Sequence, residues 1–178
     1  MIEQVVNKIN ENILRLIDSE YGDNTPVESF GLSESVIVDE EGSDYSIPAI
    51  VDNQGECHYV FSDDDFSAGW YHRLLSKSYA TAKGFGDNEI DIEIADILLV
   101  CWGFRPKVER SALQFEKEFI IPSIPVEAKL INSDFDSFRV IQGEFKKIDY
   151  FNKPEEFVFS LRYRIQYKFK RECLILND

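Results

Sequence analysis

The chain has 178 residues, of which 44% are apolar and 29% charged, and its formal net charge is −14 at neutral pH. This length suits one domain, residues 1–178, with a sizeable core. No apolar run approaches the roughly 18 to 20 residues that cross a bilayer, and acidic Glu3 argues against a secretion signal. We therefore expect a cytoplasmic protein with no membrane partner.

The charges are distributed unevenly. Fourteen acidic residues and no Lys or Arg lie between Arg15 and Arg73, whereas basic residues are concentrated near the C-terminus. The acidic part should be repelled by phosphate, so we expect no direct sequence-specific binding of nucleic acid. Two interpretations remain open: acidity that keeps the protein soluble, or a polarised surface that meets a second copy or a basic partner head to tail.

The N-terminal segment predicts one amphipathic helix. Its apolar residues recur at three- and four-residue steps from Ile2 to Ile17, and the pattern stops before Gly22 and Pro26. We expect this helix to pack on a sheet, with binding of a partner protein as the alternative.

Short strands separated by turn-forming residues follow the helix. The predicted strands cover residues 35–39, 46–51 and 57–61, and the last two form a hairpin. Residues 62–86 show no clear period. We expect an irregular helical segment around residues 70–79.

Residues 89–104 predict the central strand. Ile90, Ile92 and Ile94 alternate with acidic residues before the run becomes wholly apolar. The alternation slips at Ala95–Asp96, which predicts a β-bulge in this strand.

A second helix is predicted to begin at Pro106 and to end before Pro122, because proline fits the first turn of a helix. Residues 126–131 and 138–145 are weaker strand predictions. These elements together predict an α+β fold: a mostly antiparallel twisted sheet, with the N-terminal amphipathic helix and the second helix packed on one face.

The last strand is predicted over residues 157–169, where every odd position is apolar. Its even positions carry a basic ladder formed by Arg162, Arg164 and Lys168. We hypothesise that this strand lies antiparallel beside the central strand. The acidic ladder Glu89, Asp91 and Glu93 would then pair with the basic one across the solvent face.

The sequence offers few candidates for chemistry. Asp63, Asp64 and Asp65 are consecutive, whereas a calcium loop needs alternating acids, a central glycine and a distal Glu. We expect His72 on the surface and Cys101 as a small buried hydrophobe. These patterns predict neither a catalytic site nor a metal or other cofactor.

Three segments carry a family resemblance: residues 45–56, with a Pro-Ala pair and an Asn-Gln-Gly-Glu turn; the acidic residues 62–65; and the closing strand 161–174. They resemble the tail-terminator and neck-completion proteins of long-tailed bacteriophages and related prophages. The resemblance implies a structural protein of the virion. The resemblance further implies that the protein forms a six-fold ring and contacts tail-tube or neck proteins.

Ring closure needs two different patches that meet on neighbouring copies. We expect these patches to include the basic residues Arg162, Arg164 and Lys168 and the acidic residues 63–65 (Asp63, Asp64 and Asp65). Replacing Arg162 and Arg164 with Glu should then weaken assembly and leave the fold intact. The alternative function is an acidic binding module, such as an immunity or inhibitor protein that masks a basic partner.

Overall fold

The computed structural model describes residues 1–22, 25–40, 43–51, 54, 56–60, 67–83, 89–136, 139–140 and 155–170. A long helix is followed by strands and by a broken helical connection. The elements are α1 (Ile2–Tyr21), β1 (Val27–Glu40), β2 (Ser43–Val51), β3 (Cys57–Tyr59), β4 (Ala68–Lys83), β5 (Glu89–Phe104), α2 (Arg105–Val108), α3 (Ala112–Phe115), β6 (Ala128–Asp134) and β7 (Glu156–Lys170).

The described strands form one mixed sheet in the order β3-β2-β1-β4-β5-β7-β6. β1 and β4 run parallel, and the other neighbouring strands are antiparallel. The predicted α+β fold is therefore confirmed. β5 pairs with β7 without a register shift from Ile90 opposite Lys170 to Phe104 opposite Glu156. The two strands are antiparallel neighbours, as hypothesised.

α1 confirms the predicted N-terminal helix. Its buried stripe of Val5, Ile9, Ile13 and Ile17 packs on the sheet, because these positions share one face at the helical period. The helix ends at Gly22, whose φ of 89° lies in the region that favours glycine. Burial of this stripe fixes the helix on the sheet and defines one face of the core.

The second helical region is interrupted. Pro106 lies in the first turn of α2, as predicted, but Glu109 adopts a left-handed φ of 51° and ends that turn. The chain restarts at Ser111, where the Ser111 side chain and Gln114 form a capping box. α3 continues through a π-helical turn and a 3₁₀ turn over residues 116–123. The connection is thus two helical pieces packed on the same face as α1.

The prediction of a helical segment around residues 70–79 is wrong, because these residues belong to the sixteen-residue strand β4. The first part of β4 is buried on both faces, with Trp70 and His72 on one side and Tyr71 on the other. A strand covered on both faces shows no alternation of apolar and polar residues. The period of two was therefore hidden in the sequence.

The bulge lies in a different strand from the predicted one. β5 runs through Ala95–Asp96 without an extra residue against β7, whereas β4 inserts Leu75 opposite the junction of Asp96 and Ile97. The slip in the β5 pattern has another cause. Ile90, Ile92 and Ile94 lie on one face of β5, and the apolar residues from Ile97 onward occupy both faces.

Both faces of the middle of the sheet are covered. The larger core lies under α1 and α3 and includes Trp70, Leu99, Phe115, Phe159 and Leu161. A smaller core lies on the opposite face. Its buried members are Val60, Tyr71, Val100, Trp102, Val140 and Val158.

The remaining strand predictions are borne out in part. The hairpin of β2 and β3 is present, and residues 35–39 fall within the longer β1. β6 begins at Ala128 instead of Val126, which lies in a turn and is 99% exposed. Residues 139–140 are helical, against the strand predicted for 138–145, and the rest of that segment lies outside the described residues.

Candidate functional site

Two residues of the basic ladder of β7, Arg162 and Arg164, contact one buried acid. Arg164 contacts Asp96 of β5 through two hydrogen bonds of 2.6 and 3.0 Å, and Arg162 donates a third of 2.5 Å. The Asp96 side chain is 5% exposed, whereas the two arginine side chains are 41% and 42% exposed. Hydrogen bonds from Arg164 and then Arg162 outweigh desolvation and lower the pKa of Asp96 to about 2. The cluster therefore carries one buried carboxylate at neutral pH.

The acidic ladder does not face the basic one, so the predicted pairing is wrong in register. Glu93 lies opposite Tyr167, and Asp91 lies opposite Phe169. Both acids instead contact β4: Glu93 forms a 2.9 Å ion pair with Lys77, and Asp91 accepts a hydrogen bond from Thr81.

Asp96 is the partner of Arg162 and Arg164 that the sequence pattern did not predict. The acids of β5 occupy odd-numbered positions as far as Glu93, whereas Asp96 occupies an even-numbered one. Asp96 therefore lies on the opposite face of β5 from Glu93, and on the same face as Arg162 and Arg164. The one available signal was an acid at the start of an otherwise apolar run, since a charge there needs a partner.

The structure places the predicted interface residues as follows. Arg162 and Arg164 lie together on β7, and Lys168 is exposed farther along the same strand. The acidic residues 63–65 lie outside the described residues. Since both arginines hold a buried carboxylate, their replacement by Glu would bring like charges against Asp96 and destabilise the fold. We therefore expect this double substitution to weaken the fold, contrary to the prediction from sequence that it leaves the fold intact.

His72 is fully buried, so its predicted surface position is wrong. Its Nε2 lies 2.8 Å from the Asn10 side-chain oxygen, and its Nδ1 lies 2.9 Å from the Tyr163 hydroxyl. The same Asn10 oxygen accepts a 2.9 Å hydrogen bond from Trp70, and the Asn10 amide donates to the Phe30 carbonyl. These contacts tie α1 directly to β1 and β4, and through His72 to β7.

The geometry fixes the protonation of the imidazole. The amide oxygen of Asn10 only accepts hydrogen bonds, so Nε2 of His72 carries the proton and Nδ1 accepts from the Tyr163 hydroxyl. Burial lowers the pKa of His72 to about 3 and raises the pKa of Tyr163. With both ring nitrogens satisfied and no solvent exposure, His72 stabilises the core and does not contact solvent.

Of the two cysteines that the structure describes, one is buried and the other is exposed. Cys101 is buried, as predicted, and desolvation raises the pKa of its thiol well above the ordinary value, which keeps it protonated. Cys57 is exposed on β3. Among the described residues, no three His, Cys, Asp or Glu side chains are grouped so that they could hold a metal ion. No helix in the described part of the chain is long and apolar enough to span a bilayer.

The sheet divides where β1 and β4 separate. They pair in parallel from Val27 and Ala68 up to Ser33 and Arg73, and then each continues without the other. β1 continues to Glu40 beside β2, and β4 continues to Lys83 beside β5. A cleft of about 510 Å³ marks this fork. It is lined by Leu32, Ser33, Glu34, Arg73, Leu74 and Leu75.

Beyond the fork, β4, β5 and β7 form a three-stranded arm, which comprises residues 74–83, 89–95 and 165–170. Residues 74–81 are all exposed, and Leu74, Leu75 and Tyr79 are 37%, 38% and 64% exposed. Most of the described residues of this arm are exposed or half-buried, and Ala95 and Ile165 at its base belong to the main core. Sequence reasoning missed the arm because β4 was not predicted.

Comparison with models of known protein families and with curated proteins gave no match to this sequence. The functional assignment therefore depends on the geometry above and on the resemblance of the three short segments.

Proposed function

We propose that this chain is a structural protein that assembles with copies of itself by protein–protein contacts, as a tail-terminator or head–tail neck component of a phage or prophage. It acts in the cytoplasm or in the virion. The observation that carries the proposal is the projecting arm with its exposed apolar side chains, Leu74, Leu75 and Tyr79. Exposed apolar surface of this kind is typical of protein interaction sites.

The charge distribution supports a head-to-tail arrangement. Strand β4 contains the cations Arg73, Lys77 and Lys83 and no acid, whereas residues 16–72 contain fourteen acids and no Lys or Arg. Unlike patches on one subunit favour contact between different faces of neighbouring copies. Contacts of this type close into a ring when the rotation per subunit allows it.

The burial of His72 and Cys101 agrees with a non-catalytic role. His72 and Cys101 are both fully buried, and the imidazole of His72 is hydrogen-bonded on both nitrogens. The exposed features of the sheet are strand edges and ion pairs, which are means of binding other proteins.

The first test is self-association and partner identity. We expect sedimentation velocity to show a discrete oligomer that grows with protein concentration, and negative-stain electron microscopy to show rings. Tagged protein from source cells with the prophage induced should capture tail-tube or neck proteins, identified by mass spectrometry. A protein that stays monomeric and captures no virion component contradicts the proposal. A one-to-one complex with a single small basic protein would favour the acidic binding module instead.

A further inference from the structure

Among the described residues, the outer edge of β4 is open over a long stretch. β5 occupies one edge of β4 as far as Lys83, but β1 leaves the other edge at Arg73. Within the described part of the chain, no strand pairs with this outer edge from Leu74 to Lys83. A row of free backbone donors and acceptors is a template for an added strand.

The edge is regular and weakly protected. After the bulge at Leu75, β4 pairs with β5 without interruption from Ser76 to Lys83, longer than the five or six residues of an ordinary strand. A lysine on an edge usually discourages pairing. Here the Lys77 ammonium forms an ion pair of 2.9 Å with Glu93 of β5 and lies 5.5 Å from the Tyr79 ring centroid. It is therefore engaged within the arm.

The other branch of the fork carries the complementary charge. From Glu34 to Glu40, β1 contains three acids, no cation, and the β-branched run Val36–Val38. β2 occupies one edge of this segment, and the edge toward β4 has no strand partner among the described residues. Among the described residues, one chain thus presents two open edges: one whose sequence contains acids and no cation, and one whose sequence contains Lys77 and Lys83 and no acid.

We propose that the β4 edge of one copy, residues 74–83, receives the β1 edge, residues 34–40, of the next copy and extends the sheet from subunit to subunit. This inference rests on the proposed self-assembly and names its contact. Pairing of β4 with β4 would oppose strands that carry only cations, whereas pairing of β1 with β4 opposes acids and bases. The contact is heterologous, as a ring requires.

The test is cross-linking between two variants of different mass in a Cys57→Ser, Cys173→Ser background, with buried Cys101 retained. One variant carries Ser35→Cys on β1. The other carries Ser76→Cys, Ser78→Cys or Ala80→Cys at exposed positions of β4. Mild oxidation of the mixture should give a mixed disulfide dimer for at least one β4 position, and neither variant alone should give it. Glu11→Cys, on the exposed face of α1, is the matched control and should give none.

Hydrogen exchange provides a second test, because amide protection requires backbone hydrogen bonds between the two strands and not only their proximity. On assembly, the outward-pointing amides of residues 74–83 should exchange more slowly, at alternate residues, because alternate residues point to one edge. Oligomers without the mixed disulfide and without this protection overturn the inference and leave the proposed function standing. Disulfide dimers of a β4 variant alone indicate β4–β4 pairing and also overturn it. A strictly monomeric protein contradicts both proposals.

Discussion

Two buried polar residues on neighbouring strands are stabilised in opposite protonation states. Asp96 stays charged because two arginines donate hydrogen bonds to it, whereas His72 stays neutral because burial disfavours its charged form and no acidic partner offsets that burial. Low solvent exposure makes each group sensitive to the loss of a single partner. The stability of the fold therefore depends on the hydrogen bonds that each of these two residues forms.

Stability should depend on pH through His72. Its pKa is about 3 in the folded protein, compared with an ordinary 6.5, so the unfolded chain binds a proton that the folded protein excludes. Stability is then full above pH 6.5 and falls as the pH drops toward 3, with a loss of about 2 kcal/mol by pH 5. Urea denaturation at several pH values should show this fall in the wild type, and His72→Gln should lack that part of it.

The histidine effect can be separated from that of Asp96. The depressed pKa of Asp96, about 2 against an ordinary 3.8, causes loss of stability only below about pH 4. Wild-type and His72→Gln curves that remain parallel between pH 5 and 7 would contradict the neutral buried imidazole.

A double-mutant cycle should detect the contact between Asp96 and Arg164. With Asp96→Asn, Arg164→Gln and both together, we expect a coupling energy of about 1 kcal/mol in denaturant unfolding, because the exposed side of the arginine is screened by solvent. Asp91 with Arg164 is the matched control. Asp91 lies five residues from Asp96 along β5, about 16 Å away, so that cycle should show no coupling. Equal coupling in the two cycles would refute the observed register.

At the scale of elements, two aromatic rings lie so close to the backbone of a neighbouring strand that only glycine fits beneath them. Gly69 of β4 lies opposite Trp102 of β5, and Gly103 lies opposite Phe157 of β7. A β-carbon on Gly69 would fall well inside van der Waals contact with the Trp102 ring, and one on Gly103 would do the same with Phe157. Glycine at these two positions lets a large ring lie flat across its neighbouring strand.

Gly69→Ala should therefore destabilise the protein by about 2 kcal/mol or more, because the Trp102 ring must move within a packed core. Gly31→Ala on β1 is the control, since a β-carbon there meets nothing within 4 Å. Thermal unfolding of the two variants should show a large decrease in midpoint for the first and little change for the second. Similar midpoints would contradict the packing of Trp102 over Gly69.

Patterns with a single period predicted their elements well. α1 and β7 were located from sequence because each has a continuous apolar stripe or alternation, and β5 because its alternation leads into a wholly apolar run. β4 escaped because its first half is buried on both faces. Asp96 and His72 escaped because their partners, Arg164 and Asn10, are distant in the chain and depend on strand order and register. Pairing of this kind is not encoded in local periodicity.

At the scale of the whole molecule, the fork between β1 and β4 divides the sheet into two branches, each of which pairs with different strands. One branch continues with β2 and the other with β5 and β7. The helices cover the region before the fork, and the arm beyond it is exposed. This division separates the part of the sheet that stabilises the subunit from the part that is available to other chains.

The hydrogen bonds of Asn10 also restrict how the long helix can be placed. A helix held only by Val5, Ile9, Ile13 and Ile17 would find similar apolar contacts after sliding one turn, about 5.4 Å, along its axis. Such a slide would separate the Asn10 amide from Trp70, His72 and the Phe30 carbonyl at once. A shift of four residues, which restores the apolar stripe, would bring Val6 or Leu14 to the place of Asn10, and neither side chain can form these hydrogen bonds. Asn10 therefore selects one alignment of the helix among those that the apolar stripe alone would allow.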